Sequence, residues 1–239
     1  MEARELYLDL MKRCLLDTIY GEYPIDHGKV KNGLYWPQRA HTMIGLKRLT
    51  NIQECFENVI KDGIQGDLIE TGVWRGGATI FMQALVKAYN QDRKVYVADS
   101  FEGLPKPDAK SYPVDIGDTH HTIDFLRVCL EEVVDNFKKY DLLDENVYFV
   151  KGYFEDTIPN LSNKIDKLSI LRLDGDMFSS TIQVFDGLYD KLSVGGYLIL
   201  DDYNLRGARK AMYAYREKKN IKSKILNIDN LGVYWRKED

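Results

Sequence analysis

The sequence predicts an α/β domain with a mostly parallel sheet, preceded by helices and finished by an antiparallel strand pair. Three observations predict it: short apolar runs alternate with longer amphipathic runs from residue 67 onward, glycines or acids follow several apolar runs, and two short runs end the chain. Strands that alternate with helices are typical of a parallel sheet covered on both faces.

The composition suits one soluble domain. The chain has 239 residues, of which 44% are apolar, and a formal charge of −4. A mildly acidic chain does not attract polyanions, so we expect no nucleic-acid partner, and no Lys/Arg-rich run indicates a membrane surface. Three widely spaced cysteines, no apolar leader and no long apolar run predict a reduced, cytoplasmic protein.

The first 63 residues precede the sheet, and we interpret residues 1–63 as a helical cap or lid over a main domain of residues 64–239. Helices are predicted over residues 4–18 and 42–62, and the glycines and prolines of residues 21–38 predict a loop between them. These helices can also pair two subunits, so we expect a homodimer.

The main domain contains five predicted parallel strands, four predicted helices and a closing hairpin. The strands cover residues 67–71, 94–98, 147–150, 168–173 and 197–200. The helices cover residues 77–90, 122–141, 180–192 and 206–219, and the hairpin pairs residues 224–228 with 232–236. Residues 102–121 predict a long loop, interpreted as an active-site lid.

Ligands of parallel sheets bind beyond the carboxyl ends of the strands. The first strand ends in a glycine-rich turn, Glu70-Thr71-Gly72-Val73-Trp74. Trp74 stands where a dinucleotide motif needs a glycine for its pyrophosphate, so the turn favours a nucleoside without phosphates. A structural turn without a ligand is the alternative.

The second strand ends at Asp99, followed by Ser100 and Phe101. A carboxylate at this point can accept hydrogen bonds from a ribose diol, and the Phe101 ring can stack on a base. The alternative is a helix N-cap.

The fourth and fifth strands end in acids: Asp174 and Asp176, then Asp201 and Asp202. Adjacent parallel strands bring such ends together, and crowded carboxylates are costly unless a cation holds them. Oxygen ligands favour Mg²⁺, with Mn²⁺ or Ca²⁺ as alternatives. Such a cation lowers the pKa of an acceptor hydroxyl, and a free carboxylate can take its proton. The alternative is a set of separate turn acids facing water.

The histidines lack metal-ligand spacing. We interpret His120 and His121, in the predicted lid, as exposed loop residues, and contact with a substrate is the alternative.

The chain resembles the macrocin O-methyltransferase family, which includes sugar methyltransferases of the mycinamicin and novobiocin pathways, from about Tyr7 to Arg236. The stretches that carry the resemblance are Ala40–Gly45, Asp67–Gly77, Ala98–Pro105, Leu171–Met177 and Asp201–Tyr203. The resemblance implies a class I, Rossmann-like methyltransferase fold, S-adenosylmethionine (SAM) as methyl donor, and Mg²⁺-dependent transfer to a sugar hydroxyl.

The resemblance also implies roles for individual residues. Asp174, Asp201 and Asp202 resemble the metal ligands, and Asp176 resembles the general base. The donor site comprises Thr42, Met43, Glu70, Thr71, Gly72, Val73, Trp74, Asp99, Ser100 and Phe101. A composition rich in Lys, Asn and Ile makes us expect a polysaccharide-precursor or nucleotide-linked sugar as acceptor, with an antibiotic glycoside second.

Three further interpretations stay open at this point. The same site can methylate a catechol or another phenolic, or the chain can bind the donor without turnover as a partner subunit. An NAD-dependent oxidoreductase is disfavoured by Trp74 and Arg75.

Overall fold

The computed structural model describes residues 2–20 and 26–238. In this part of the chain seven strands form one sheet in the order β3-β2-β1-β4-β5-β7-β6. The strands are β1 (Asp67–Thr71), β2 (Val95–Asp99), β3 (Val147–Lys151), β4 (Leu168–Leu173), β5 (Leu192–Leu200), β6 (Leu226–Asn227) and β7 (Val233–Arg236).

The first five strands run parallel, which confirms the predicted sheet. The central strands β1 and β4 are buried along almost their whole length because helices cover both of their faces. At the far side, β7 pairs antiparallel with β5 and with β6, which confirms the predicted hairpin.

Eight α-helices accompany the sheet within the described residues. They are α1 (Ala3–Leu15), α2 (His27–Lys31), α3 (Gly45–Lys61), α4 (Gly77–Ala88), α5 (Leu130–Lys139), α6 (Phe154–Lys164), α7 (Phe178–Leu188) and α8 (Arg206–Lys218). Side chains of α1, α3, α4 and α5 share one core with one face of the sheet, and those of α6, α7 and α8 share a second core with the other face. The architecture is therefore a three-layer α/β/α domain.

The N-terminal helices belong to the first of these cores. Leu8 of α1 and Leu49 of α3 are buried there. Helix α1 packs on α4, and α3 packs on α4, β4 and β5. The segment before residue 63 thus has apolar contacts with the sheet in addition to its predicted place over the site.

Two predictions about helices and loops were wrong. Residues 120–122 and 124–126 form single 3₁₀ turns, and the predicted helix of residues 122–141 begins only at Leu130. Tertiary contacts of Phe125, described below, hold this stretch out of the helix. The second wrong prediction is the loop of residues 21–38, because this range contains α2. Residues 21–25 of the predicted loop lie outside the described residues.

Helix α6 has no counterpart among the predicted helices. Its sequence includes Pro159, which removes a backbone donor from the helix interior, and several polar residues. Its apolar contacts with α7 compensate for this weak local preference. Among the described residues, none of the helices is both long and apolar enough to cross a bilayer.

Candidate active site

The carboxyl ends of β1, β2, β4 and β5 open into one cavity of about 430 Å³. It lies where the strand order changes direction at β1, the usual ligand position in such sheets. Twelve of the predicted site residues line it: Thr42, Met43, Glu70, Gly72, Val73, Trp74, Asp99, Ser100, Asp174, Asp176, Asp201 and Asp202.

The glycine-rich turn after β1 fits against the end of β4. Gly72 has a φ of +86°, and a Cβ atom there would lie 1.6 Å from the carbonyl oxygen of Asp174. Only glycine tolerates both the left-handed backbone and this approach. The turn therefore brings the backbone after β1 directly beside the acids after β4.

A second close approach joins the N-terminal segment to the same turn. The amide of Gly77 donates to the carbonyl oxygen of His41 at 3.0 Å, and a Cβ at Gly77 would overlap that oxygen and the Thr42 side chain. This contact holds Thr42 and Met43 at the cavity wall.

Asp99 is held by backbone amides. Its carboxylate accepts hydrogen bonds from the amides of Val73 at 2.7 Å and Phe101 at 2.8 Å. Burial raises the pKa of Asp99 although these hydrogen bonds oppose the rise. Asp99 thus fixes the glycine-rich turn and also faces the cavity.

Two predicted donor-site residues do not line the cavity. The Phe101 side chain is 3% exposed and packs in the core, with its ring centroid 6.5 Å from that of Phe149, so the expected stacking on a base is not available in this structure. The Thr71 hydroxyl donates to the carbonyl oxygen of Arg172 within the sheet. The alternation of side chains along β1 places Thr71 opposite to Glu70.

The acids after β4 and β5 come together. Asp174, Asp201 and Asp202 each offer an oxygen, and these oxygens lie within 4.8 Å of one another. Asp176 is not in that group, but its amide donates to the Asp202 carboxylate at 2.9 Å. Its backbone is left-handed, with a φ of 57°, an uncommon conformation that aspartate tolerates better than most residues.

Two buried arginines that the sequence analysis missed lie beneath these acids. Arg172 forms ion pairs with Glu70, with Asp174 at 2.8 Å and with Asp201, and Arg48 of α3 pairs with the other oxygen of Asp201. Part of the crowding is thus relieved by guanidinium groups rather than by a metal. A lone arginine inside the apolar β4 sequence is the signal that could have revealed Arg172.

The arginines do not balance the charge. Glu70, Asp174, Asp176, Asp201 and Asp202 line the cavity, against the two guanidinium groups. Burial and then neighbouring carboxylates raise the pKa of Asp176 to about 7, and burial and then Asp201 raise that of Asp174 to about 6. A divalent cation would favour the ionised forms. The three converging oxygens and the excess negative charge therefore fit a hard cation.

One carboxylate oxygen of Glu70 is not used in the ion pair with Arg172. Its Oε1 accepts from Arg172, while its buried Oε2 has no hydrogen-bond partner among the described residues. Burial raises the pKa of Glu70 to about 8 despite the attraction of Arg172. An ammonium group of a ligand would complete the hydrogen bonding of this carboxylate.

An aromatic cluster adjoins the cavity, and two of its members, Trp36 and Trp74, line it. The Trp36 ring stacks on Phe125 at 5.5 Å between centroids, and Trp74 contacts Phe125 at 5.4 Å and donates from its indole nitrogen to the Phe125 carbonyl oxygen at 2.9 Å. These three residues come from the N-terminal segment, the loop of residues 102–129 and the glycine-rich turn. The cluster therefore joins three separate parts of the chain.

The loop of residues 102–129 also carries polar groups into the cavity. His120 lines it, and its Nδ1 lies 3.0 Å from both carboxylate oxygens of Asp118. His121 does not line the cavity. His120 is thus a lining residue held by a carboxylate, whereas the sequence predicted an exposed loop residue.

Comparison with known proteins shows the family to which this chain belongs. Residues 22–237 match the family model described as Macrocin-O-methyltransferase (TylF). The chain is 46% identical to 8-demethyl-8-(2,3-dimethoxy-alpha-L-rhamnosyl)-tetracenomycin-C 4'-O-methyltransferase of Streptomyces olivaceus, over 98% of this chain and 94% of that protein. It is 42% identical to mycinamicin III 3''-O-methyltransferase of Micromonospora griseorubida, over 98% and 96%.

The fold of a solved structure also matches the fold of this chain. The O-methyltransferase NovP superposes with a TM-score of 0.94 at 44% identity, covering 99% of this chain and 100% of that one. The family match, the sequence identities and the fold thus agree with one another. The chain belongs to the macrocin O-methyltransferase family and is a SAM-dependent O-methyltransferase with a class I methyltransferase fold.

Proposed function

We propose that this enzyme transfers a methyl group from SAM to a sugar hydroxyl of a glycoside, with the help of a divalent cation. The observation that carries the proposal is the convergence of Asp174, Asp201 and Asp202 in the same cavity as the glycine-rich turn. A methyl donor and a cation-held acceptor would then lie side by side. Such placement is itself a large part of catalysis.

The donor occupies the side of the cavity formed by the glycine-rich turn. The free oxygen of Glu70 accepts from the donor's ammonium group, and Thr42 and Met43 close over the methionine end. Asp99 and Ser100 face the ribose, and Trp74 contributes the neighbouring wall. Glu70 is best suited to a cationic partner because it is buried and lacks one hydrogen bond.

Asp174, Asp201 and Asp202 hold the cation, Mg²⁺ in our proposal. When bound, the cation supplies Lewis acidity to the acceptor hydroxyl. The sugar oxygen forms a bond to the methyl carbon while the carbon–sulfur bond breaks, and the bonding electrons neutralise the sulfonium. The hydroxyl proton passes to the carboxylate of Asp176, whose raised pKa of about 7 suits a general base.

The charges of the cavity favour a glycoside over a nucleotide-linked sugar. Among the described lining residues Arg48 and His120 already pair with carboxylates, which leaves Lys106 as the remaining cation. A diphosphate would face Asp108 and Glu155 as well as the acids after the strands. The half-exposed Trp36, at the same cavity, offers an apolar surface to an aglycone.

The names of the relatives point in the same direction. The tetracenomycin and mycinamicin enzymes are named for antibiotic glycosides, and neither name refers to a polysaccharide or a nucleotide sugar. The order of acceptors expected from composition, with polysaccharide or nucleotide-linked sugars first, is therefore reversed here. A catechol acceptor ranks below a glycoside because neither of these two relatives is named for methylation of a catechol.

The test is label transfer from methyl-labelled SAM to three acceptor panels, namely antibiotic glycosides, nucleotide sugars and catechols, each with Mg²⁺ and with EDTA. We expect transfer to a glycoside that EDTA abolishes, with mass spectrometry locating the methyl group on the sugar. Transfer that persists in EDTA would remove the cation from the proposal. Transfer to a nucleotide sugar or catechol alone would overturn the acceptor.

A further inference from the structure

We infer that Arg48 is a positioning residue that fixes the carboxylate of Asp201 for cation binding, so that the N-terminal segment forms part of the cation site. The inference rests on the proposed function, because it concerns the cation proposed above. Arg48 lies in α3, outside the sheet and its strand ends, and it contacts the cation only through Asp201.

Arg48 is buried and has three partners from three parts of the chain. Its side chain is 5% exposed and pairs through Nη1 with Asp201 and through Nε with Asp229 at 3.2 Å. Its Nη2 also donates to the carbonyl oxygen of Gly33 at 3.4 Å. Burying a charged group is costly unless partners compensate it. Asp229 does so as an ion pair, since Nε of Arg48 and Oδ2 of Asp229 form no hydrogen bond within the described residues.

The surrounding backbone leaves room for this side chain. Gly33 has a φ of +61°, and a Cβ there would overlap Nη2 of Arg48. On the other side, a Cβ at Gly232 would lie 3.2 Å from Cδ of Arg48. Two glycines therefore border the guanidinium, one before α3 and one in the turn before β7.

Asp229 organises that turn at the same time. Its Oδ1 accepts from the amides of Leu231 and Gly232, both at 2.8 Å, while its Oδ2 lies opposite Arg48. Leu231 lines the cavity. Arg48 thus connects the end of β5 to the hairpin through two carboxylates, which a planar guanidinium can do and an ammonium cannot do in the same geometry.

The consequence concerns the orientation of Asp201. Arg172 holds its Oδ1 and Arg48 holds its Oδ2, so neither carboxylate oxygen can turn away from the cavity. Each carboxylate oxygen keeps a second acceptor site for a cation. Loss of groups that orient a metal ligand typically weakens metal binding by roughly 10–100-fold.

The positive charge of Arg48, taken by itself, predicts the opposite change in cation affinity. Arg48 is a cation close to the proposed metal, and its removal would make the site more negative and bind a cation more tightly. The two effects separate in Arg48→Lys, which keeps the charge and loses the planar fork, and Arg48→Met, which loses both. Positioning predicts weaker binding in both variants.

The experiment is calorimetric titration of the wild type, Arg48→Lys and Arg48→Met with Mn²⁺, with S-adenosylhomocysteine bound. The matched control is Arg93→Lys, because Arg93 is a buried arginine that binds the carbonyl oxygens of Gly66 and Ile64 outside the cavity. We expect a roughly 10–100-fold higher Kd for Mn²⁺ in both Arg48 variants and an unchanged Kd in the control. The Mn²⁺ concentration for half-maximal methyl transfer should rise by the same factor.

The outcomes are distinct. Wild type that binds no Mn²⁺ would overturn both the proposed cation and this inference. Wild type that binds Mn²⁺ while Arg48→Lys binds equally well, or Arg48→Met binds more tightly, would overturn this inference alone. If either variant fails to fold, Asp229→Asn keeps Arg48 and removes one of its carboxylate partners. An unchanged Mn²⁺ affinity in that variant would also overturn the inference.

Discussion

The carboxylate after β2 and the carboxylates after β4 and β5 are held in opposite ways. Asp99 accepts hydrogen bonds from backbone amides of Val73 and Phe101, so its charge is satisfied by the chain around it. Asp201 is held by arginine side chains, and its neighbours Asp174 and Asp202 remain crowded beside it. The first arrangement shapes a turn, whereas the second leaves oxygen atoms and negative charge for a ligand.

This contrast predicts its largest effect at Asp201. In Asp201→Ala we expect kcat to fall by about 10³-fold or more, with loss of any response to Mg²⁺, because the variant removes a proposed ligand of a cation that would contribute several kcal/mol. Initial rates across a Mg²⁺ series and calorimetry check this. A cation affinity equal to that of the wild type would contradict the ligand role.

The second effect separates the base from the ligands. Asp176→Asn should lower kcat by roughly 10²-fold or more while leaving donor and cation affinities near wild type, because only the proton acceptor is lost. Asparagine also tolerates the left-handed backbone at this position. Near-normal turnover in steady-state assays would exclude Asp176 from proton transfer.

A smaller effect is expected at Asp99, the carboxylate that is held by backbone amides. Asp99→Asn replaces one accepting oxygen with an NH₂ group, which leaves an amide of the turn without a partner. We expect the Kd for S-adenosylhomocysteine to rise about 10-fold, an effect of about 1.4 kcal/mol, without any change in Mn²⁺ affinity. Equal weakening of both ligands would mean that the two regions are not independent.

The smallest effect is expected at His41, beside Thr42 of the proposed donor site, and it concerns the pH dependence of stability. Burial, then the charges of Lys139 and Arg75, lowers the pKa of His41 to about 4, and its Nδ1 lies 2.7 Å from the Tyr140 hydroxyl. The unfolded chain protonates His41 below pH 6.5 and the folded chain does not until about pH 4. This histidine therefore lowers stability as pH falls through that window.

His41→Gln should remove that part of the pH dependence. Because the ring keeps some contact with water, we expect the fall in Tm between pH 7.5 and pH 5 to differ by only about 2–4 °C between the two proteins. This is the shift in Tm that about 1 kcal/mol produces in a domain of this size. Thermal melts of both proteins at pH 7.5 and pH 5 check this, and we expect the Tm of the wild type to fall further than that of the variant. Parallel losses would show that His41 is not the group responsible.

The sequence predicted the sheet and the meeting of its acidic strand ends because both follow from local patterns. Apolar runs determine the strands, and parallel pairing brings Asp174 and Asp201 to the same edge of the sheet. Arg48 and Arg172 were missed because their pairing depends on contacts between distant parts of the chain. The metal, the residue roles, the cap-and-domain division and the homodimer stay predictions.

The stretch around Phe125 shows why the rest was not predictable. Its sequence suits a helix, but stacking with Trp36 and the hydrogen bond from Trp74 hold it in 3₁₀ turns. Phe101 is a second case, since nothing in its local sequence says whether the ring faces the cavity or the core. Tertiary packing decides both.

The contact between Arg48 and Asp229 has a consequence for how the enzyme matures. Arg48 is translated long before Asp229, which lies in the turn between β6 and β7. The sheet can begin to form during synthesis, but the surroundings of Asp201 are complete only once this hairpin has been translated. A product truncated before Asp229 would therefore retain most of the fold's sequence and leave Arg48 with one carboxylate partner instead of two.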